Sequence, residues 1–216
     1  SPRLTLAHCV WADENELRQI AASGARIAVN NSSNLHLYSG RAPLVAMMDA
    51  GVDMAMGLDG CALDEDDDGL RELRLFHLWG RRPGFGADHG ITHVAALRAA
   101  CQTGRAGLGL PDGGVIAKGM PADLLLLDFD SLDRDALMPV CPQDLLFARA
   151  TSAHLTEVWA GGRRVFGDGE VLGVDLDQQE TVLRAAYRAN LKKTAPLRAL
   201  WPELENAIGD HYRGCC

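Results

Sequence analysis

Three short apolar segments open the chain, and each is followed by a stretch in which apolar residues recur at helical spacing. The segments Leu4–Ala7, Arg26–Val29 and Asp53–Leu58 are predicted strands. Asp13 and Glu16 stand at capping-box spacing before the first predicted helix. Strands that alternate with helices predict parallel βαβ units, and therefore an α/β fold.

The later helices are bounded by residues that start or stop helices. Pro43 and Gly51 bound the second predicted helix, and Leu70–Trp79 forms the third. Thr92 is the predicted cap of a fourth helix that runs to Cys101. The first half of the chain is therefore predicted to hold three strand–loop–helix units and one further helix.

Polar residues stand at the ends of the three predicted strands. His8 ends the first, the run Asn30–Asn34 follows the second, and Asp59 ends the third. The intervals from His8 to Asn30 and from Asn30 to Asp59 are 22 and 29 residues, close to the roughly 30 residues per unit of an eight-stranded barrel. Since the carboxyl ends of barrel strands carry the chemistry in that fold, these residues are expected to converge on one face.

After Leu110 the pattern changes to short β segments and a final helix. The helix is predicted from Gln178 to Lys193, where apolar residues recur at helical spacing. Three βα units cannot close a barrel, and an open parallel sheet exposes its strand edges. The chain is therefore expected either to pair with missing sequence or to be a domain cut from a longer enzyme. The β segments are Gly113–Ile116, Ala122–Leu127, a hairpin of Leu155–Trp159 and Arg163–Phe166 with a glycine turn, and Glu170–Leu172.

Composition limits the partners and the cellular compartment that are expected for the protein. The 216 residues carry a formal net charge of -8 and no basic patch of the kind that nucleic-acid binding requires. No apolar run is long enough to span a bilayer, and no signal peptide is expected. The six cysteines lack CxxC spacing, which favours reduced thiols in a cytoplasmic protein over a zinc site or a disulfide framework.

His8 and Asp59 are the candidate site residues. A lone histidine among apolar neighbours is more often a packed core residue, and an aspartate at a strand end is more often a cap or turn residue. A carboxylate that follows an apolar strand is nevertheless costly to desolvate unless a metal or a donor compensates. Because both residues belong to one predicted face, together they indicate a site.

Several segments resemble the amidohydrolase superfamily, and most closely its deaminase and chlorohydrolase branch. That branch includes cytosine, guanine, adenosine-type and S-adenosylhomocysteine deaminases and triazine hydrolases. The order and spacing of the segments, rather than any single motif, carry the resemblance, which extends to about Asp175. The segments are Leu6–Val10, Asn31–Leu37 with Ser39–Pro43, Gly57–Gly60, Gly114–Leu124 and Val158–Val165.

The resemblance implies the C-terminal part of a TIM-like (β/α)8 barrel, followed by a small β-sandwich portion and C-terminal helices. Residues 1–110 would then hold the last βα units of a metal-dependent hydrolase barrel. Residues 111–175 would form the β-sandwich portion, and residues 176–216 would form a helical segment.

The resemblance also assigns roles to the two candidate residues. His8 corresponds to a histidine on barrel strand six that hydrogen-bonds the attacking water or the substrate, and that binds metal in two-metal members. Asp59 corresponds to an aspartate on strand eight that binds the metal and carries a proton from the water to the leaving group. The implied cofactor is a divalent metal, zinc or alternatively iron.

The chain departs from the family pattern at the metal site. The first-strand HxH pair is absent, and the strand-five histidine with its nearby glutamate would lie upstream of Ser1. One carboxylate does not make a zinc site, which needs three or four ligands. The chain taken alone is therefore expected to be inactive, and the missing N-terminal half of the barrel is an expected partner.

Hydrolytic deamination or dechlorination of an amino-substituted heterocycle is the leading hypothesis for the whole protein. Hydrolysis of an amide or a cyclic amide is the alternative within the superfamily. A non-catalytic fragment of the same fold that serves interaction or assembly is the alternative outside it. The other expected partners are a small heterocyclic substrate and further copies of the chain in a homo-oligomer, whereas nucleic acid and membrane are not expected.

Other motifs carry weaker signals. His89 and His93 are four residues apart, but His89 precedes the predicted helix, so they are a poor candidate for a second metal site. The run Asp64–Gly69 matches the first half of a calcium-binding EF-hand loop, although Leu75 replaces the ligand glutamate at its twelfth position. Acids ahead of a helix N-terminus explain the run better. His36 is expected in a solvated loop.

Overall fold

Two compact units make up the chain, Ser1–Glu170 and Val171–Cys216. The computed structural model describes residues 1–60, 66–86, 88–110 and 112–213. The finer division at residues 110 and 175 stays a prediction.

A three-stranded parallel sheet begins the first unit. Its strands hydrogen-bond in chain order, so the second strand is central and the first and third form the edges. Ile27 and Val29, which share one face of the central strand, are fully buried, whereas Arg26 and Ala28 on its other face are partly buried. The strands are β1 (Thr5–Ala7), β2 (Arg26–Val29) and β3 (Asp53–Met56).

Helices follow the strands and cover the sheet. The predicted capping box is present, because the Asp13 side chain accepts from the backbone N–H of Glu16 and the Glu16 side chain accepts from that of Asp13. The fourth predicted helix extends past Cys101 through a π-helical turn at Ala99–Thr103. The helices of this region are α1 (Glu14–Ser23), α2 (Asn31–His36), α3 (Leu44–Asp49), α4 (Gly69–Trp79), α5 (His93–Arg98) and α6 (Gly104–Gly107).

One apolar cluster lies between the parallel sheet and its helices. Leu17 of α1, Met47 of α3 and Phe76 of α4 are almost completely buried in it, together with the side chains of β2. A core of this kind fixes the helices against the sheet, and with them the loops that leave the carboxyl ends of the strands.

An antiparallel sheet follows, with its strands in the order β4-β5-β6-β7. Gly161 and Gly162 connect β5 to β6 with φ of +57° and +78°, the backbone of a two-residue type I′ hairpin turn. The predicted hairpin is therefore confirmed. The elements are β4 (Leu124–Leu127), α7 (Phe129–Leu132), α8 (Pro142–Arg149), a 3-10 turn at Ser152–His154, β5 (Leu155–Ala160), β6 (Arg163–Gly167) and β7 (Glu170–Val171).

The predicted strand at Gly113–Ile116 is wrong. Gly113 and Gly114 take φ of +108° and +72°, and two successive left-handed residues turn the backbone out of the extended conformation. A Cβ atom added at Gly114 would lie 2.6 Å from the carbonyl oxygen of Cys101. This segment therefore runs as a tight loop against the preceding helix.

The second unit consists mainly of one long helix, α9 (Leu176–Arg213). The predicted helix from Gln178 to Lys193 lies within it but ends too early. Pro196 and Pro202 stand inside α9, and none of its described residues is buried. Across the described part of the chain, no helix combines the length and the apolar character needed to cross a bilayer.

Candidate active site

The carboxyl ends of the three parallel strands bring the predicted site residues together. His8 follows β1, Asn30 follows β2, and Asp59 lies three residues beyond the end of β3. The backbone N–H groups of His8 and Gly57 donate hydrogen bonds of 2.8 and 2.9 Å to carbonyl oxygens of β2, which extends the ladder to the site. The expected convergence on one face is therefore present.

His8 is held through one ring nitrogen and presents the other to Asp59. Its Nδ1 atom lies 2.8 Å from Oδ1 of Asn34 and 3.5 Å from the amide nitrogen of Asn30. Because an amide oxygen can only accept, the 2.8 Å contact means that Nδ1 carries the proton and donates it. In the neutral ring Nε2 is then an acceptor, and it lies 3.6 Å from Oδ2 of Asp59.

Helix α2 holds Asp59 as well as His8, through a separate hydrogen bond. Oγ of Ser33 donates to Oδ2 of Asp59 over 2.8 Å, and Ser33 is fully buried. The His8 and Asp59 side chains each keep about a third of their surface exposed, 33% and 33%. Two acceptor atoms that face each other at a solvated edge suit a cation or a proton-donating water in front of them.

His8 and Asp59 share an uncommon backbone conformation, with φ of +65° and +70°. Left-handed backbone at a residue other than glycine costs on the order of 1–3 kcal/mol and is concentrated at functional sites. The two residues with candidate chemistry are thus also strained, as pre-organised site residues often are.

Gly57 leaves room for Asn30 beside the site. A Cβ atom at Gly57 would lie 2.2 Å from Oδ1 of Asn30, far inside van der Waals contact. Asn30 is buried and has its amide nitrogen next to the His8 ring. A glycine at this position therefore lets β2 and β3 present Asn30 to His8.

Glu72 of α4 holds the start of α2. Its Oε1 atom accepts from the backbone N–H of Asn31 over 2.8 Å and from that of Ser32 over 3.3 Å. Glu72 is only 2% exposed, so its carboxylate satisfies N–H groups that a helix start leaves open. This contact positions Ser33 and Asn34, and sequence reasoning missed it. The available signal was a glutamate on the apolar side of α4, beside Leu73.

The acidic run before α4 acts as a helix cap where it is described. Oδ1 of Asp68 accepts from the backbone N–H groups of Leu70 and Arg71, at 3.0 and 3.2 Å. Its Oδ2 atom accepts from the backbone N–H of Ser152 over 2.8 Å. The capping interpretation is confirmed for Asp68, whereas residues 64 and 65 of the calcium hypothesis lie outside the described residues.

A second group of aromatic side chains lies away from the strand ends. The His77 ring is 4.5 Å from that of His93 and 4.9 Å from that of Phe147, and His93 stacks on Phe147 at 4.3 Å. The pKa of His77 is lowered below its usual range, mainly by burial and to a smaller extent by the neighbouring His93. His77 is therefore a packed, neutral histidine.

These rings line a cleft of about 460 Å³ that also includes His89 and Asp144. Nδ1 of His93 lies 3.5 Å from Oδ1 of Asp144. Within the described residues, no three histidine, cysteine, aspartate or glutamate side chains are grouped so that they could hold a metal ion. The structure thus gives no support to a second metal site at His89 and His93. His36, expected in a loop, is instead the exposed last residue of α2.

The family model and the sequence relatives that match this chain agree with one another. Residues 1–165 match the model of the amidohydrolase family. The 5-methylthioadenosine/S-adenosylhomocysteine deaminase of Pelotomaculum thermopropionicum is 34% identical over 187 residues, which are 85% of this chain and 41% of that protein. The chain therefore spans well under half the length of this relative.

Solved structures agree with the sequence matches. An adenosine deaminase from Xanthomonas campestris with bound zinc is similar at a TM-score of 0.78 and 29% identity, over 89% of this chain and 43% of that one. Atrazine chlorohydrolase from Arthrobacter aurescens TC1, complexed with zinc, is similar at a TM-score of 0.75 and 27% identity, over 86% of this chain and 41% of that one.

Proposed function

The chain belongs to the amidohydrolase family, whose model matches residues 1–165, and on this premise we propose that it is the C-terminal part of a metal-dependent hydrolase. The proposed reaction is hydrolysis of a C–N bond other than a peptide bond, by deamination of an amino-substituted heterocycle. In this proposal the parallel sheet is the last part of a TIM-like (β/α)8 barrel, and the antiparallel sheet belongs to a β-sandwich portion.

The observation that carries this proposal is the pair formed by His8 and Asp59. The two side chains meet at the carboxyl ends of parallel strands with Nε2 and Oδ2 3.6 Å apart. Each is held on its far side by α2, His8 through Asn34 and Asp59 through Ser33. Their acceptor atoms are therefore directed to one point at the open edge of the sheet.

Asp59 is the proposed proton carrier. A carboxylate at a solvated edge can take a proton from the attacking water and give it to the departing amine. The hydrogen bond from Ser33 fixes the orientation of this carboxylate. His8, with its proton on Nδ1, would accept through Nε2 and so orient the water or the substrate.

The proposed cofactor is a divalent metal, and the zinc in the two similar structures favours zinc. Asp59 fits such an ion as one ligand, because a carboxylate oxygen is a common zinc ligand. A bound ion of this kind supplies a nucleophilic water near neutral pH. The described residues hold no group of three ligand side chains, so the remaining ligands would come from outside them.

The edges of the parallel sheet support a longer barrel. β1 and β3 are the terminal strands of this sheet, and edge strands offer unpaired N–H and C=O groups to a further strand. Leu6 of β1 and Met54 of β3 are only partly buried, in contrast to Ile27, the β2 residue that both of them pair with, which is fully buried. Strands from outside these residues would cover both and close the barrel.

The similar proteins support the proposed substrate class. Their names refer to adenosine and its thioether derivatives and to the triazine atrazine. Each of these molecules is a nitrogen heterocycle with an amino or chloro substituent on an electron-poor ring carbon. We therefore propose an amino-substituted heterocycle as the substrate of the whole protein.

A fusion protein tests this proposal. The part of the Pelotomaculum deaminase that precedes its match to this chain would be joined to Ser1 and the product purified with zinc. We expect bound zinc and release of ammonia from adenosine or 5-methylthioadenosine. Asp59→Asn should abolish the release, and His8→Ala should lower it by about 100-fold or more. The matched control is Asp49→Asn. Asp49 is the last residue of α3 and forms an exposed ion pair with Arg82.

The contrary outcomes are distinct from one another. A folded, zinc-loaded fusion that hydrolyses cyclic amides but releases no ammonia from amino-heterocycles would replace deamination by amide hydrolysis. A folded fusion without zinc or hydrolysis would favour the non-catalytic alternative. If the fusion does not fold, the two parts mixed as separate chains allow the same measurements.

A further inference from the structure

An open groove follows one side of helix α1, next to the edge strand β1. Its volume is about 590 Å³, enough to receive several side chains of another element. The loop that follows β1 forms one wall of the groove, and α1 forms the other. The loop contributes Cys9, Val10 and Trp11, and α1 contributes Glu16, Gln19 and Ile20.

Helix α3 lies on the opposite side of α1. Glu14 and Arg18 of α1 line a cleft that they share with residues of α3. At about 100° per residue, the direction of Glu14 and Arg18 around the helix is roughly 160° from that of Glu16 and Ile20. One side of α1 is therefore covered by a neighbouring helix, whereas the other side is open at the groove.

The helices α1 and α3 repeat along one face of the parallel sheet. Leu17 of α1 and Met47 of α3 belong to the same core cluster as Ile27 and Val29 of β2, so both helices cover the face that carries Ile27 and Val29. Crossover connections between parallel strands of one sheet are right-handed in nearly all proteins. A strand added at the free edge of β1 would therefore bring its crossover helix onto this same face. The next position on this face, beside α1, is the groove.

Apolar side chains at the groove and at the adjacent strand are exposed. Trp11 is 85% exposed, and Leu4, directly before β1, is 47% exposed. Trp11 nevertheless packs against the loop before α3, because a Cβ atom added at Gly40 would lie 3.5 Å from its Cζ2 atom. A large aromatic side chain that is supported on one side and open on the other is typical of the anchors of protein interfaces.

We propose that this groove binds an amphipathic helix from the upstream part of the same protein, the helix that connects a neighbouring strand to β1. This inference rests on the proposed function, because it takes the parallel sheet to be part of a longer barrel. The apolar side of that helix would cover Ile20 and Trp11, and its polar side would face solvent. One upstream βα unit would then cover both the edge of β1 and the groove.

Oxidation by hydroxyl radicals, measured by mass spectrometry, tests whether the groove is covered. The 216-residue chain would be compared with its fusion to the upstream part of the Pelotomaculum deaminase. Trp11 should be oxidised severalfold more slowly in the fusion than in the chain alone. Phe85, a fully exposed residue of the loop between α4 and α5, is the control and should be oxidised equally in both proteins.

A charged substitution on α1 tests the same contact through stability. Ile20 is only partly buried in the chain, whereas the upstream helix would bury it fully. Ile20→Lys should therefore lower the melting temperature of the fusion by at least about 4 °C more than that of the chain alone. Ala22→Lys, on the exposed side of α1, is the matched control and should affect both proteins equally.

The outcomes separate this inference from the proposed function. Equal oxidation of Trp11 in both proteins, or an equal effect of Ile20→Lys in both, would overturn the inference. A fusion that protects Trp11 but releases no ammonia would contradict the proposed deamination and support the inference. A fusion that releases ammonia while Trp11 stays equally reactive would do the reverse. If the fusion does not fold, the two parts are mixed as separate chains, and unchanged oxidation of Trp11 in the mixture would overturn the inference.

Discussion

Oγ of Ser33 donates a 2.8 Å hydrogen bond to Oδ2 of Asp59, the same oxygen that faces the His8 ring. Ser33 lies on α2 and Asp59 follows β3, so the bond ties a short helix to the neighbouring strand end. Since the acceptor is a carboxylate, the bond is charge-assisted and stronger than one between neutral groups. Helix α2 therefore sets the orientation of the proposed proton carrier.

Loss of this bond should lower turnover more than stability. For Ser33→Ala in the fusion protein we expect kcat to fall by about tenfold, because a misoriented Asp59 loses about 1.4 kcal/mol of transition-state stabilisation. Ser32→Ala is the matched control, since the buried Ser32 hydroxyl has no hydrogen-bond partner among the described residues. Steady-state kinetics with zinc content measured on the same samples would decide. Equal losses in both variants would argue against the orienting role.

A methyl group at Gly57 should disturb Asn30. The added Cβ of Gly57→Ala would lie 2.2 Å from Oδ1 of Asn30, so we expect a loss of about 1–3 kcal/mol in unfolding free energy. In Asn30→Ala the clashing atom is gone, and the double variant should be less destabilised than the sum of the single variants. Gly69→Ala has no atom within 4 Å of the new Cβ and serves as control in the same urea titrations. Simple additivity would contradict the contact.

Removal of the Glu72 carboxylate should destabilise the start of α2. Glu72→Ala leaves the backbone N–H groups of Asn31 and Ser32 without this acceptor, and we expect a loss of about 2–4 kcal/mol. Glu72→Gln retains an acceptor oxygen and should lose roughly half as much. Glu14→Ala, an exposed acid in the first turn of α1, controls for charge. Hydrogen exchange localised to residues 31–34 would show whether the loss arises in α2.

The buried His77 should make the fold less stable in mild acid. Burial and His93 lower its pKa from the ordinary value of 6.5. The folded state therefore binds this proton less readily than the unfolded chain does. The contribution of His77 is thus fully present above about pH 6.5 and is lost as the pH falls below that value.

His77→Phe should reduce this pH dependence while it keeps the ring packing. The difference in unfolding free energy between about pH 7.5 and pH 5.5 should be smaller in the variant than in the parent chain. His36→Gln, at the exposed end of α2, should leave the difference unchanged. An unchanged profile in His77→Phe would assign the acid sensitivity to other groups.

The sequence predicts the three parallel strands and their ends well, because they depend on local patterns, although it fails at Gly113–Ile116. The three apolar segments, the capping box of Asp13 and Glu16, and the glycine hairpin turn all appear as expected. The convergence of His8 and Asp59 was also predictable, since parallel strands end at a common edge. Their catalytic roles rest on the resemblance and stay a prediction.

What the sequence does not reveal depends on contacts between distant residues. Asn31–Asn34 has the composition of a turn, because short polar side chains favour caps and loops. It forms a helix where Glu72, 41 residues later, accepts from its first N–H groups. The role of Gly57 likewise appears only once Asn30 is seen beside it. Helix α9 continues past prolines that a local pattern treats as a stop.

At His8 and Asp59, where the backbone is left-handed, the residue that would best stabilise the fold differs from the residue that the proposed reaction needs. Glycine at either position would relax the backbone and at the same time delete the side chain on which the proposed reaction depends. A selection that rewards only resistance to heat would therefore move toward glycine at these two positions, whereas a selection for turnover would hold the original side chains against that tendency. Variant libraries sorted by melting temperature alone would thus be enriched in chains that fold stably but lack the His8 or Asp59 side chain.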